Sequence, residues 1–215
     1  MKLYTRIKDI ILWLYRSHKL RLKFSLVGGI FLNLLYIAGN IASAFLYGSI
    51  WSATLTLYHL TLVVIRIYLL SARGEAKERK NSATVCLRVG ILMLFLDLIT
   101  AYMMIYTVTR SSFVRYSGFI LLGFILYSAY SLTTSLLVIR RKDDHRGKLH
   151  FVAKNITLST SLMSVFNLQY SLLSLLGASF GIIARAIFVG GLAVFSTILA
   201  MSVRLIKIGL NSSKI

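Results

Sequence analysis

Six apolar stretches, near residues 24–47, 49–71, 85–107, 117–139, 155–176 and 182–206, take up most of this 215-residue chain. The hydrocarbon core of a bilayer is about 30 Å thick and takes roughly 20 residues of helix to cross. Lipid offers the backbone no hydrogen bonds, so a segment of that length in a bilayer is a helix that satisfies its own amides. The predicted fold class is therefore all-α: a polytopic membrane protein built as a bundle of six transmembrane helices. Charged residues make up only 14% of the chain, where a soluble domain would carry about a quarter. Mean hydropathy is +0.77.

Three regions follow. Residues 1–23 form a basic amphipathic juxtamembrane segment, residues 24–207 the six-helix transmembrane domain, and residues 208–215 a short polar tail. In the first, Leu3, Ile7, Ile10, Ile11 and Leu14 recur at helical spacing among lysines and arginines. Such a helix is expected to lie in the headgroup plane with its apolar side down. A signal peptide fits less well, because the run Ile10–Tyr15 is short and a second basic block follows it at once.

The net charge of +19, from 25 basic and 6 acidic residues, would suggest nucleic acid in a soluble protein. Here the basic residues fall in blocks between apolar spans, so the expected partner is anionic lipid at the cytoplasmic face and not nucleic acid. Arg16, Lys19, Arg21, Lys23, Arg140, Arg141 and Lys142 are the expected lipid-facing set. With the amino terminus inside, 22 of the 25 basic residues fall on the cytoplasmic side; Arg110, Arg115 and Arg185 fall opposite. The positive-inside rule then predicts both termini in the cytoplasm and an even number of spans. Protein partners and a homo-oligomer stay open.

The second and third spans carry ionisable residues that seldom lie in lipid without a partner or a role. His59 and Arg66 share one face of the second span, seven residues apart. Asp97 stands midway along the third, about as far from the outer end as His59. This depth match predicts a His59–Asp97 pair, with Arg66 within reach roughly 10 Å nearer the cytoplasm. Such a pair can relay protons, or it can simply fix helix packing. Asn33 and Asn40 share a face of the first span. On the fifth, Thr157, Thr160, Ser164, Asn167, Ser171 and Ser174 make a continuous polar stripe with Gln169 beside it. The stripe could line a pathway for a cation or polar solute, or pack helices closely. The candidate ligand or ion pathway is His59, Arg66, Asp97, Asn33, Ser164, Asn167 and Gln169.

Other chemistry is poorly provided for. A single cysteine, Cys86, allows no intrachain disulfide and no thiolate metal cluster. Asp143, Asp144, His145 and His150 are surrounded by arginine and lysine that would repel a cation, so no metal site is expected there. No hydrolase, metalloprotease or P-loop signature is present, so neither a catalytic residue nor a cofactor is expected. Proline is absent, leaving Gly28–Gly29 and Gly190–Gly191 as the places for a helix to bend. No convincing internal repeat is found.

Two stretches, Tyr58-His59-Leu60 through Arg66 and Ser161 through Gln169, resemble segments of an uncharacterised family of six-span membrane proteins of Gram-positive bacteria. The resemblance implies a bacterial plasma membrane and no particular activity. Cation diffusion facilitators share the six-span plan, but their paired His/Asp motifs in the second and fifth spans are missing here. The expected function is movement or sensing of a small polar solute or ion through a buried His/Arg/Asp site. The alternative is a scaffold or accessory subunit whose intramembrane polar residues are structural.

Overall fold

The computed structural model describes residues 18–72, 78–109, 118–140, 148–177 and 179–212. They form six helices: α1 (His18–Tyr47), α2 (Ile50–Ala72), α3 (Glu78–Thr109), α4 (Gly118–Arg140), α5 (Lys148–Leu175) and α6 (Phe180–Ser212). Several outrun the apolar stretches. Helix α3 starts at Glu78 instead of near residue 85, α5 at Lys148 instead of near 155, and α6 runs on to Ser212. The added turns are rich in Lys, Arg, Glu and Leu, which propagate a helix well, so hydropathy marks the bilayer edge and not the helix end. The amphipathic segment, the lipid-facing Arg16, Arg141 and Lys142, and the basic loops fall largely outside the described residues.

Five helices have stretches long and apolar enough to cross a membrane: Leu26–Tyr47, Ile50–Ala72, Ser82–Thr109, Gly118–Leu137 and Phe180–Asn211. The exception is α5, the carrier of the polar stripe. It is long enough, at roughly 1.5 Å per residue, but too polar to pass on composition. Its position explains the discrepancy. Helix α5 packs against all five other helices, and of its residues only Lys148, Val165, Leu172 and Leu175 are exposed. A helix wrapped by other helices need not be apolar, because lipid touches so little of it. The bundle's outside is apolar, with Phe31, Phe45, Leu98, Phe119, Leu126 and Val189 all exposed. On a soluble protein such a surface would be a large apolar patch; in a bilayer it is a lipid face.

Helices α1 and α2 form a tight hairpin. Gly48 takes the left-handed conformation (φ 58°), and the Ser49 amide donates back to the Ala44 carbonyl at 3.2 Å, which closes α1 in the manner of a helix C-cap. The Ser49 hydroxyl then accepts from the Ser52 amide at 3.1 Å, capping α2. After α5, Gly177 (φ 64°) opens a comparable turn.

The most extensive packing joins α3 to α6, followed by α1 with α2 and α4 with α5. Smaller contacts join α2 to α3, α5 to α6 and α2 to α5. Helix α5 also meets α3 and α1, which makes it the one helix in contact with every other. One compartment is made of the hairpins α1/α2 and α4/α5; the other is the α3–α6 pair. The α3–α6 pair is close because two glycines allow it. A Cβ at Gly90 would meet Ile206 Cγ1 at 2.7 Å and one at Gly209 would meet the Leu87 amide at 2.8 Å. Neither Gly28–Gly29 nor Gly190–Gly191 interrupts its helix; Gly29, Gly190 and Gly191 serve close approach as well. Consecutive helices run antiparallel, so the start of α1 and the end of α6 share one end of the bundle, here the terminal end.

Candidate solute site between two helix hairpins

The seam between the hairpins α1/α2 and α4/α5 holds the molecule's densest set of polar side chains. Toward the hairpin-turn end it is closed by paired groups. The Trp51 indole of α2 donates to Asn167 Oδ1 at 2.8 Å, and Asn167 Nδ2 donates to the Tyr36 hydroxyl of α1 at 2.5 Å. Trp51 also stacks on Tyr170, with centroids 4.0 Å apart. One asparagine on α5 therefore ties α1 and α2 to the central helix. Midway along, the Tyr58 hydroxyl meets the Ser159 hydroxyl at 2.8 Å, and Ser128 of α4 donates to the Ser164 carbonyl at 2.9 Å.

His59 is wholly buried among aromatic rings. Tyr36 lies 4.4 Å from it between centroids, with Tyr58 at 5.7 Å and Tyr127 at 5.9 Å. Its Nδ1 stands 3.3 Å from Asn33 Oδ1. An amide oxygen can only accept, so this bond requires the proton on Nδ1. The same Asn33 oxygen accepts from the Tyr127 hydroxyl at 2.7 Å. Asn33 thereby links α1 to both α2 and α4.

Toward the terminal end the seam opens into a cavity of about 80 Å³, lined by Gly28, Gly29, Asn33, Arg66, Tyr127, Tyr130, Ser131, Thr134, Thr157 and Thr160, with Leu32. That volume suits a few waters or a solute of a few non-hydrogen atoms. Arg66 enters it from α2 and is 4% exposed. Its Nη2 donates to the Thr160 hydroxyl at 3.1 Å, while Thr160 in turn donates to the Ile156 carbonyl at 2.8 Å. The guanidinium packs directly over Gly29, where a Cβ would collide with it. Gly29 is the reason a group this large fits between α1 and α2. Arg66 Nε and Asn33 Nδ2 are buried and donate to nothing among the described residues.

The expected His59–Asp97 pair is not formed. Asp97 is 2% exposed but belongs to the α3–α6 compartment. Gly90 and Met104, seven residues to either side of it, both meet α6, at Ile206 and Gly191 respectively. Asp97 lies on that same face. Ser202 of α6 lies beside it, yet the Ser202 hydroxyl donates to the Ile198 carbonyl at 2.8 Å. Both carboxylate oxygens are left without a donor among the described residues. The depth inferred from sequence was shared with His59; the helix face was not.

The other candidates separate. His59, Arg66, Asn33 and Asn167 meet in the hairpin seam, Asn167 in its closed half. Ser164 is buried there too, but its hydroxyl donates to the Ser161 carbonyl at 2.8 Å, so its part is packing. Gln169 faces α6, donating to the Ala186 carbonyl at 2.9 Å over Gly190. Asn40 donates to the Tyr36 carbonyl of its own helix at 2.8 Å. Sequence reasoning passed over Tyr127, Tyr130, Ser131 and Thr134 as site residues. Their three- and four-residue spacing puts them on one polar face of α4, a signal available in the sequence. Among the described residues no group of three or more potential metal ligands comes together. Cys86 is fully buried in the core.

No family model, curated protein or solved structure matches the chain.

Proposed function

We propose that this multi-pass membrane protein binds a small polar solute or ion in the hairpin seam and either moves it across the bilayer or senses it. The observation that carries the reading is a polar cavity, deep among helices with an apolar exterior, that contains a buried guanidinium with no carboxylate partner among the described residues. Intramembrane charges of this kind are costly and usually mark a pathway or a ligand site. The asymmetry of the seam supports the same conclusion. Its hairpin-turn half is filled by the Trp51–Asn167–Tyr36 cluster, whereas its terminal half is hollow, as expected of a site reached from one side. The distribution of basic residues supports a terminal end that faces the cytoplasm, in what the sequence resemblance suggests is a plasma membrane. The basic blocks would there meet anionic lipid, and the sequence resemblance suggests a Gram-positive bacterium.

The test is flux into proteoliposomes for a panel of small neutral, cationic and anionic solutes. The comparison is between wild type and Thr157→Phe, a substitution that fills the cavity. At least one solute should enter faster than into empty liposomes and be slowed by the substitution. If no solute enters or stabilises correctly folded wild-type protein, the proposal fails.

A scaffold role is the second reading, and one observation favours it for part of the molecule. The Trp51, Tyr58 and Ser128 polar groups are all used in contacts between helices. These residues hold the bundle together, whereas at the Arg66 cavity Arg66 Nε and Asn33 Nδ2 keep donors that no described residue uses.

A further inference from the structure

We propose that the cavity at Arg66 is a site for a small monovalent anion, of the size of formate, acetate, nitrate or chloride. This inference rests on the solute-site reading above and specifies its ligand class. Three observations on the cavity wall support it.

The first is charge. The chain has six acidic residues, and Asp97 is the acidic one among the described buried residues. It lies against α6 and makes no bond to Arg66. A guanidinium keeps its charge under any ordinary condition. Burying it without a negative partner is strongly unfavourable, and among the described residues the cavity offers it no negative charge.

The second is the hydrogen-bond inventory. Arg66 and Asn33, 4% and 1% exposed, line the cavity, and Arg66 Nε and the Asn33 amide Nδ2 donate to nothing among the described residues. Both are donors. Asn33 Oδ1 receives the Tyr127 hydroxyl and Thr160 receives Arg66 itself, while the Thr134 and Thr157 hydroxyls donate along their own helices and keep neutral oxygen lone pairs toward a solute. A cation would meet these oxygens together with a like charge; an anion meets two N–H donors and an opposite charge.

The third is shape. Gly29 leaves the guanidinium room to lie in the wall of the cavity, since any side chain there would displace it. The volume of about 80 Å³ excludes nucleotides and sugar phosphates while admitting an anion of a few atoms.

The test uses the full chain in detergent or nanodiscs, in a background of gluconate, an anion too large for the cavity. Sodium formate, acetate, nitrate and chloride are added one at a time, and thermal unfolding is followed. At least one should raise the melting temperature of wild type by a few degrees in a saturable manner, as binding to the native state requires. Arg66→Gln should abolish the shift. Should that variant fail to fold, Asn33→Asp serves instead. It supplies an internal carboxylate beside Arg66, so it should fold and lose the anion response. The proposal is overturned if none of the four anions shifts wild type, or if the shift survives both variants. A neutral solute that shifts wild type while all four anions fail would overturn the anion assignment and leave the polar-solute reading standing. Failure of every solute would remove both.

Discussion

Replacing Asn167 by Leu keeps roughly the same volume and removes two buried hydrogen bonds, those from Trp51 at 2.8 Å and to Tyr36 at 2.5 Å. Interhelical bonds in membrane proteins average about 0.6 kcal/mol and reach about 1.7. The two bonds alone thus amount to about 1–3 kcal/mol. The upper part of that range applies, because the indole N–H would be left without an acceptor at a position 2% exposed, a penalty of about 1–3 kcal/mol by itself. For a domain of this length 1 kcal/mol corresponds to about 2–4 °C, so the melting temperature should fall by roughly 4–10 °C. Trp51→Phe, which deletes the donor and retains a ring against Tyr170, should be milder, at about 0.5–1.5 kcal/mol. The double variant should be less destabilised than the sum, with a coupling of about 1 kcal/mol. The natural probe is Cys86, the single cysteine, fully buried in α3; its labelling by a maleimide dye during heating reports unfolding. An Asn167→Leu protein that melts with or above wild type, or strict additivity in the double variant, would refute the claim that this cluster closes the seam.

The α3–α6 interface should be intolerant of bulk. Gly209→Val pushes a Cβ against the Leu87 amide at 2.8 Å and the Ala83 carbonyl at 3.0 Å, backbone atoms that cannot turn aside, and should destabilise by about 1–3 kcal/mol. Gly28→Ala, with nothing within 4 Å of its Cβ, should be close to neutral in the same melt. Asp97→Asn removes a charge whose placement in a span opposes insertion by about 2.5–3.5 kcal/mol, so the variant should melt at or above the wild-type temperature. Because Asp97 and His59 lie in separate compartments, Asp97→Asn and His59→Ala should add within about 0.5 kcal/mol; a coupling above about 1 kcal/mol would restore the direct pair.

Much of the architecture could be read before any coordinates. The all-helical architecture and the polar stripe of α5 follow from length, hydropathy and three–four spacing. Helix faces did not. A soluble helix announces its buried side by contrast with polar residues, but lipid is as apolar as a core, so the alternatives for α3 look alike. Asp97 was therefore assigned the wrong neighbour: its face is set by α6, over 80 residues later in the chain. Arg66 and Thr160 are separated by 94 residues, and only the antiparallel stacking of the two hairpins joins them.

The central claim is that the terminal half of the seam is a solute-accessible cavity and the other half is closed. Thr157 lines the cavity and Ser164 lies one stripe position beyond Thr160, fully buried. In a Cys86→Ala background, Thr157→Cys and Ser164→Cys can be labelled in sealed vesicles with a membrane-impermeant thiol reagent added to one side at a time. The account predicts labelling of Thr157→Cys from the side bearing the termini only, slowed by whichever solute stabilises wild type, with Ser164→Cys inert from both sides. Equal protection of the two cysteines, or labelling of Thr157→Cys from the opposite side, would contradict it.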